Sequence, residues 1–138
     1  MPLLDKDKMS QDWQDKRIKA AFIMAPAFAW LFDEKNLQKI SIPTYLIASS
    51  ADEVIVTANN AGFFAKNIPN SKYQVIPGEA SHYVFMSALN ESQRKHAHLP
   101  TTLNYLVEDS PQVDRSWIQF EVAKEATDFF NSIFGTTQ

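Results

Sequence analysis

Three short apolar runs, separated by polar or amphipathic stretches, dominate the hydropathy pattern of this chain. They cover residues 18–26, 43–49 and 73–76, and a short amphipathic element at residues 33–38 separates the first two. The second run begins at a proline and the third ends at a Pro-Gly pair, which are common marks of a strand start and of a turn. Near-continuous apolar runs are typical of strands covered on both faces, as in parallel sheets. We therefore predict three strands, of which the first, residues 18–26, is expected to be covered on both faces.

Two longer helices are expected from the 3.6-residue periodicity and from their capping residues. Thr57 is placed to cap a helix that runs to about Asn67. Asp114 is placed to cap a second helix over residues 115–134, which Gly135 ends. A core-facing stripe is predicted along this last helix, at Ile118, Val122, Ala126, Phe129 and Ile133.

The alternation of strands and helices predicts the fold class. Strand, helix, strand, helix, strand, helix is the order of an α/β protein, and right-handed crossovers then make the sheet parallel. We expect a short parallel sheet of about three strands with flanking helices. The chain divides into a polar N-terminal segment, residues 1–16, and a single domain, residues 17–138.

Two ionisable side chains follow neighbouring predicted strands, Asp52 after the second and His82 after the third. Functional groups of parallel sheets lie just beyond the carboxyl ends of the strands. In a Ser-His-Asp triad the histidine takes the proton of the nucleophile, and the carboxylate holds the imidazole in the correct tautomer. The separation of 30 residues fits one strand-helix-strand unit. Asp52 and His82 are therefore the candidate catalytic residues.

Each of these residues also has a purely structural interpretation. Asp52 fits equally well as a turn or helix-capping aspartate, which is common after a strand. His82 could be a surface loop histidine, or one that is hydrogen-bonded near Tyr83 and Phe85. Glu53 is the nearest rival carboxylate and is expected to point to solvent.

Other candidate residues carry weaker signals. His96 and His98 lie two apart in a loop without a third ligand at a recognised spacing, so we expect no metal site and no cofactor. Phe28, Trp30 and Phe32 alternate after the first strand and could line a substrate pocket. Aromatic clusters mostly fill cores, so we expect these three side chains to be packed.

Composition and charge exclude several function classes. The chain has 138 residues, 45% of them hydrophobic, and a formal net charge of −3. An acidic balance argues against nucleic-acid or anionic-membrane partners, and no apolar segment approaches the roughly 20 residues of a membrane span. The absence of cysteine excludes disulfides and thiolate catalysis. The polar N-terminus lacks a signal-peptide core, which favours a cytoplasmic location, with the periplasm open if the chain belongs to a longer protein.

Residues 18–26, 42–54 and 68–82 together resemble the C-terminal half of an α/β-hydrolase. Within that superfamily they look most like the dienelactone-hydrolase-like group related to platelet-activating-factor acetylhydrolase. That group also has a long loop after the histidine and a Val-Asp-Arg segment that opens the last helix, matched here by residues 113–115. The resemblance implies that the three strands correspond to the last three of an eight-stranded sheet. It also implies that Asp52 is the triad acid and His82 the triad base.

The resemblance places the nucleophile elsewhere. Its Gly-x-Ser-x-Gly elbow and its oxyanion-hole loop belong to the earlier half of the fold, and the chain contains no Gly-x-Ser-x-Gly sequence. The expected function is thus the C-terminal portion of a serine hydrolase acting on an ester, lactone or acyl group. Since oxyanion-hole donors alone contribute roughly two to three orders of magnitude in rate, this chain alone should be close to inert. A small ester-like substrate is expected only for a completed site.

Two other functions remain open. One is a non-catalytic, self-associating interaction domain derived from a hydrolase. The strand that begins near Ile18 and ends near Ala25 would then be an open edge, with Phe22, Ile23 and Met24 unshielded. Apolar edges pair with other chains, so the partner would be a second copy, in a homo-oligomer, or a complementary hydrolase half. The other is a ligand-binding α/β domain unrelated to hydrolases, which predicts an apolar pocket remote from the Asp-His pair.

Overall fold

The structure, a computed structural model, describes residues 15–87, 90, 92–93 and 108–135. Within them, three strands form one parallel sheet in the order β1-β2-β3. The strands are β1 (Ala21–Met24), β2 (Thr44–Ser49) and β3 (Lys72–Ile76). The central strand, β2, is buried at every residue. The α/β class and the three-stranded parallel sheet are confirmed.

Within the described ranges, the helices that flank the sheet are α1 (Glu34–Leu37), α2 (Ala61–Asn67) and α3 (Arg115–Phe134). Single 3-10 turns lie at Ala29–Leu31, Thr57–Asn59 and His82–Phe85. The longest helix begins and ends as predicted. Asp114 accepts a hydrogen bond from the backbone N–H of Trp117 at 2.9 Å, and Gly135 follows the last turn with a φ of 76°. Capping is a local interaction, so sequence patterns are sufficient to locate it.

Two apolar clusters form the core, one on each face of the sheet, because neighbouring residues of a strand point to opposite faces. The α2-side cluster contains Leu46 of β2 with Ala29, Leu37, Phe64 and Ile68. The α3-side cluster contains Ile47 of β2 with Ala80, Val84, Ile118 and Val122. Full burial of such a side chain contributes about 1.5–3 kcal/mol. Both faces of the central strand therefore stabilise the fold.

The predicted stripe along α3 faces the sheet. Ile118 and Val122 are buried, whereas Ala126, Phe129 and Ile133 are half-buried. The second half of the helix is only partly covered, although the Phe129 ring centroid lies 5.7 Å from that of Tyr45 in β2.

The first strand is shorter than predicted. The apolar run over residues 18–26 forms a strand only at Ala21–Met24. Its end is a backbone turn, since Ala25 has a φ of 42°, in the left-handed region. The other two strands match their predicted bounds to within one residue.

β1 is an edge strand, as predicted, but the expectation that its side chains are unshielded is wrong for two of them. Phe22 is half-buried, with its ring centroid 4.9 Å from that of Tyr45, and Ile23 packs against the α2-side cluster. Met24 is 48% exposed. The helices thus cover both faces of β1, and the open part is the backbone edge together with Met24.

The prediction that Thr57 caps a helix is also wrong. α2 begins at Ala61, and Thr57 instead starts a 3-10 turn. Its hydroxyl donates to the carbonyl of Ser49 at 2.6 Å, which joins this turn to the end of β2. A threonine hydroxyl can bond several nearby backbone groups. In the folded chain the group within reach of Thr57 is the carbonyl at the end of β2.

The polar segment, residues 1–16, lies outside the described residues apart from its last two. Among the described residues, no helix is both long enough and apolar enough to cross a membrane.

Candidate active site

The parallel sheet brings the loops after β2 and β3 together at one edge. Ser49, the last residue of β2, pairs in register with Ile76, the last residue of β3. The two chains then leave the sheet side by side, and their loops carry Asp52 and His82. Because both loops follow carboxyl ends of adjacent strands, their side chains can meet, as the sequence predicted.

Asp52 and His82 form a direct hydrogen bond. The imidazole Nδ1 lies 2.7 Å from Asp52 Oδ2, and the side chains are 2% exposed for Asp52 and 20% for His82. The second carboxylate oxygen, Oδ1, accepts the backbone N–H groups of Val54 at 3.0 Å and Ile55 at 2.6 Å. Asp52 is therefore a turn aspartate and also the hydrogen-bond partner of His82, and its role as a triad acid stays a prediction.

This hydrogen bond determines which histidine nitrogen can act as a base. An ionised carboxylate only accepts hydrogen bonds, so this contact favours the neutral tautomer that carries its proton on Nδ1 and its lone pair on Nε2. Within the described part of the chain, no hydrogen bond occupies Nε2. The ring is oriented further by Tyr83, whose ring packs edge-on with centroids 5.0 Å apart. The arrangement presents a histidine base whose tautomer is set by a buried carboxylate.

The N-terminal side of the histidine loop is joined to the loop after β2. Ser49 Oγ donates to the carbonyl of Ser81 at 3.1 Å, and Ser50 Oγ donates to that of Gly78 at 3.1 Å. Glu53 is exposed, but it does not simply point to solvent as predicted: its Oε2 accepts the backbone N–H of His82 at 3.3 Å. Glu53 contacts the backbone of His82, whereas Asp52 is the carboxylate that contacts the imidazole ring.

The C-terminal side of the same loop is held by α3. Val84 is fully buried in the α3-side cluster. Gln119 donates to the carbonyls of Val84 and Met86, and Arg115 donates to that of Met86. Arg115 in turn forms a bidentate ion pair with Asp109, at 2.6 and 2.8 Å. Sequence reasoning missed the contacts of α3 with the loop, because these partners lie about 30 residues apart along the chain.

The weaker candidates have different outcomes. His96 and His98 lie outside the described residues, and the described part contains no group of three potential metal ligands. The expectation that the aromatic residues after β1 are packed is wrong for Trp30, which is 79% exposed. Phe28 is also largely exposed, and Phe32 is packed only on one side, against Phe64 at 5.2 Å between ring centroids.

Trp30 and Phe32 line an open groove of about 840 Å³. Phe63, Lys35 and Lys66 are among the other lining residues, and neither member of the Asp-His pair is. A groove away from the pair is the feature that an unrelated ligand-binding domain would need. Its wide opening leaves most of the lining exposed to water, so it encloses no ligand-sized apolar volume.

No protein family matches the sequence, and no curated protein matches it significantly.

Proposed function

We propose that this chain carries the acid–base half of a serine-type α/β-hydrolase, which acts on an ester, lactone or other acyl group. The proposal is carried by one observation: His82 Nδ1 lies 2.7 Å from Asp52 Oδ2, and this carboxylate is almost wholly removed from water. The resemblance of the flanking sequences to the C-terminal half of such an enzyme supports it.

His82 is the general base and Asp52 orients it. When a hydroxyl attacks the acyl carbon, Nε2 accepts the hydroxyl proton and the ring becomes an imidazolium. Asp52 then faces a full positive charge across the existing hydrogen bond. Nε2 returns the proton to the leaving oxygen in the next step. Because Asp52 Oδ1 is already occupied by two backbone N–H groups, the carboxylate cannot rotate away during this cycle.

The nucleophile and the oxyanion hole come from another polypeptide segment. The chain has neither cysteine nor a Gly-x-Ser-x-Gly sequence, and no described serine hydroxyl bonds Nε2. The free edge of β1 is where a further strand can be added to the sheet. We propose that a complementary hydrolase half pairs there and completes the site.

The test is the cleavage of p-nitrophenyl acetate, an activated ester that water can attack with the help of a base alone. We expect slow cleavage that falls on the order of tenfold in His82→Ala, which is below the roughly 10²–10⁴-fold contribution of a general base in a complete site, because the rest of the site is missing. Asp52→Asn should produce a similar loss, since an amide partner permits the wrong tautomer. Glu53→Gln is the matched control, because it removes the neighbouring negative charge but keeps an oxygen that can accept the backbone N–H of His82.

Equal cleavage by the unmodified chain and a folded His82→Ala variant would contradict the proposal. Intact-mass analysis after treatment with a fluorophosphonate probe adds a second criterion. We expect no serine adduct on this chain alone. An adduct that is lost in His82→Ala would show that the chain supplies its own nucleophile, and would contradict the proposed division of the site.

A second candidate function is a self-associating interaction domain that uses the edge of β1. The observation that favours it is an aromatic extension of the core beyond this edge. The ring centroids of Phe130 and Phe22 lie 6.5 Å apart. Phe130 also stacks on Phe134, which is largely exposed. An added strand of a second copy would cover these rings and Met24.

Light scattering at micromolar concentration tests this second function. A dimer that becomes a monomer in Met24→Lys is expected if the edge pairs with a second copy, because an inserted charge opposes strand pairing. A monomer in the unmodified chain would contradict it.

A further inference from the structure

Two side chains of α3 donate hydrogen bonds to the backbone of the 3-10 turn that carries His82 and of the residue that follows this turn. Gln119 Nε2 donates to the carbonyl of Val84 at 2.9 Å and to that of Met86 at 2.6 Å. Arg115 Nη1 donates to the same Met86 carbonyl at 3.2 Å. These acceptors are backbone atoms that follow His82 by two and four residues. The contacts therefore fix the path of the loop itself.

Arg115 is unusually constrained for an arginine. Its side chain is 5% exposed, and its Nε and Nη2 atoms both bond the carboxylate of Asp109. Burying an ion pair carries a desolvation cost that apolar packing would avoid. The planar guanidinium offers several donors in a rigid fork, so the same group binds the carboxylate and still reaches the Met86 carbonyl. A buried apolar side chain at this position could make neither contact.

The loop is thus held on both sides of His82. On the N-terminal side, Ser49 binds the Ser81 carbonyl and Glu53 accepts the His82 N–H. On the C-terminal side, Arg115 and Gln119 bind the carbonyls that follow. A hydrogen bond weakens steeply as its donor angle departs from linearity. The contact between imidazole and carboxylate therefore depends on both attachments.

We propose that Arg115 and Gln119 are positioning residues for His82, which keep its Nδ1–H aligned with Asp52 by holding the turn behind it. The role rests on the proposed function, in which His82 is the base. Neither residue touches the ring, and their action passes through the backbone of residues 84–86.

The readout is the Nδ1–H proton of His82, observed by NMR on protein labelled with ¹⁵N-histidine. A proton held between an imidazole and a buried carboxylate exchanges slowly enough to give a resonance, and Asp52→Asn assigns it. We expect this resonance to be lost in Gln119→Met, which keeps the length of the side chain but removes both of its hydrogen bonds. p-Nitrophenyl acetate cleavage should fall with it.

Tyr45→Phe is the matched control. It also deletes two side-chain hydrogen bonds from a buried residue, to Gln74 and to Glu125 of the same helix, but it does not contact the histidine loop. The resonance should persist in this variant. Arg115→Lys provides a second test, because it keeps the positive charge opposite Asp109 but removes the forked guanidinium donors. We expect this variant to stay folded and to show a weaker Nδ1–H resonance of His82.

An unchanged resonance in folded Gln119→Met and Arg115→Lys would overturn the proposal. Equal loss in Tyr45→Phe would overturn it as well, because the effect would then follow general stability. The proposed hydrolase function fails by a different observation, which is ester cleavage that does not depend on His82. Resonance loss in Gln119→Met without such dependence would retain the positioning role and reject the hydrolase function.

Discussion

The two faces of the sheet are stabilised in different ways. On the α2 side, the core is an apolar cluster around Leu46, and the described long-range polar contact is a single bond from the Ala29 N–H to Asn60 Oδ1 at 3.1 Å. On the α3 side, the apolar cluster around Ile47 is accompanied by polar links from the helix to strands and loops. The loop that carries His82 is attached to this second face.

This difference has a physical reason. Apolar burial is strong but non-directional, so it brings elements together without fixing the orientation of individual groups. Hydrogen bonds contribute less net energy but depend on distance and angle. The α3 side adds directional links where a histidine and a carboxylate must be aligned to within a few tenths of an ångström. The α2 side needs no such precision and has fewer of them.

The largest expected effect is the loss of the buried ion pair. Arg115→Met leaves the carboxylate of Asp109 without its partner in a largely buried position, which costs about 3–5 kcal/mol in the free energy of unfolding. Urea denaturation measures it. Arg17→Met is the matched control, because it removes the exposed Arg17–Asp15 pair and should leave stability unchanged. An equal loss of unfolding free energy in both variants would contradict the expectation that the buried ion pair stabilises the fold more than the exposed one.

A somewhat smaller effect is expected on the opposite face. Leu46→Ala opens a cavity in the α2-side cluster and should cost about 2–5 kcal/mol. The Nδ1–H resonance of His82 should nevertheless persist in the folded fraction, because this face does not hold the histidine loop. Leu31→Ala, at a more exposed position, is the control and should cost less. Loss of the resonance in Leu46→Ala would show that the two faces are not separable.

The smallest expected effect is on how far the stability of the fold declines as the pH falls. The hydrogen bond from Tyr45, with the hydrogen bond and charge of Lys72, holds the pKa of Glu125 below its usual value of 4.5 against the opposing effect of burial. A carboxyl whose pKa is lower in the folded state stabilises the fold above the unfolded pKa. That contribution is lost as the pH falls from about 4.5 through the folded pKa.

Thermal unfolding between pH 6 and pH 3 measures this contribution. Glu125→Gln should show a shallower decline than the unmodified protein, whereas Glu121→Gln, on the same helix, should follow it. An identical decline in Glu125→Gln would show that the links of Tyr45 and Lys72 to α3 do not contribute. In that case the stabilising polar contacts on this face would be the hydrogen bonds from α3 to the histidine loop.

The sequence was most informative where the controlling interactions are local. The bounds of α3 follow from Asp114 and Gly135, and the strands follow from apolar runs of the right length. The pairing of Asp52 with His82 followed from one further rule, that parallel strands end at the same edge. Its catalytic role stays a prediction.

Predictions failed where a side chain had several partners within reach. Thr57 bonds a strand end rather than capping a helix, and Glu53 reaches the backbone of His82 rather than water alone. In the turn after β1 the small side chain of Ala29 lies in the core cluster, whereas its large neighbour Trp30 is exposed. In each case the choice depended on which groups the fold brings within about 3 Å.

By itself the sequence determined the α/β alternation, the parallel sheet, the course of the last helix and the position of an acid and a histidine at one sheet edge. These follow from periodicity, capping and chain connectivity, which act over a few residues or obey general topological rules. The tertiary structure alone decided which ring nitrogen of His82 faces Asp52, and it decided the attachment of the histidine loop to Arg115 and Gln119. Such contacts join residues about 30 positions apart and depend on angles and distances, which no pattern along the chain encodes.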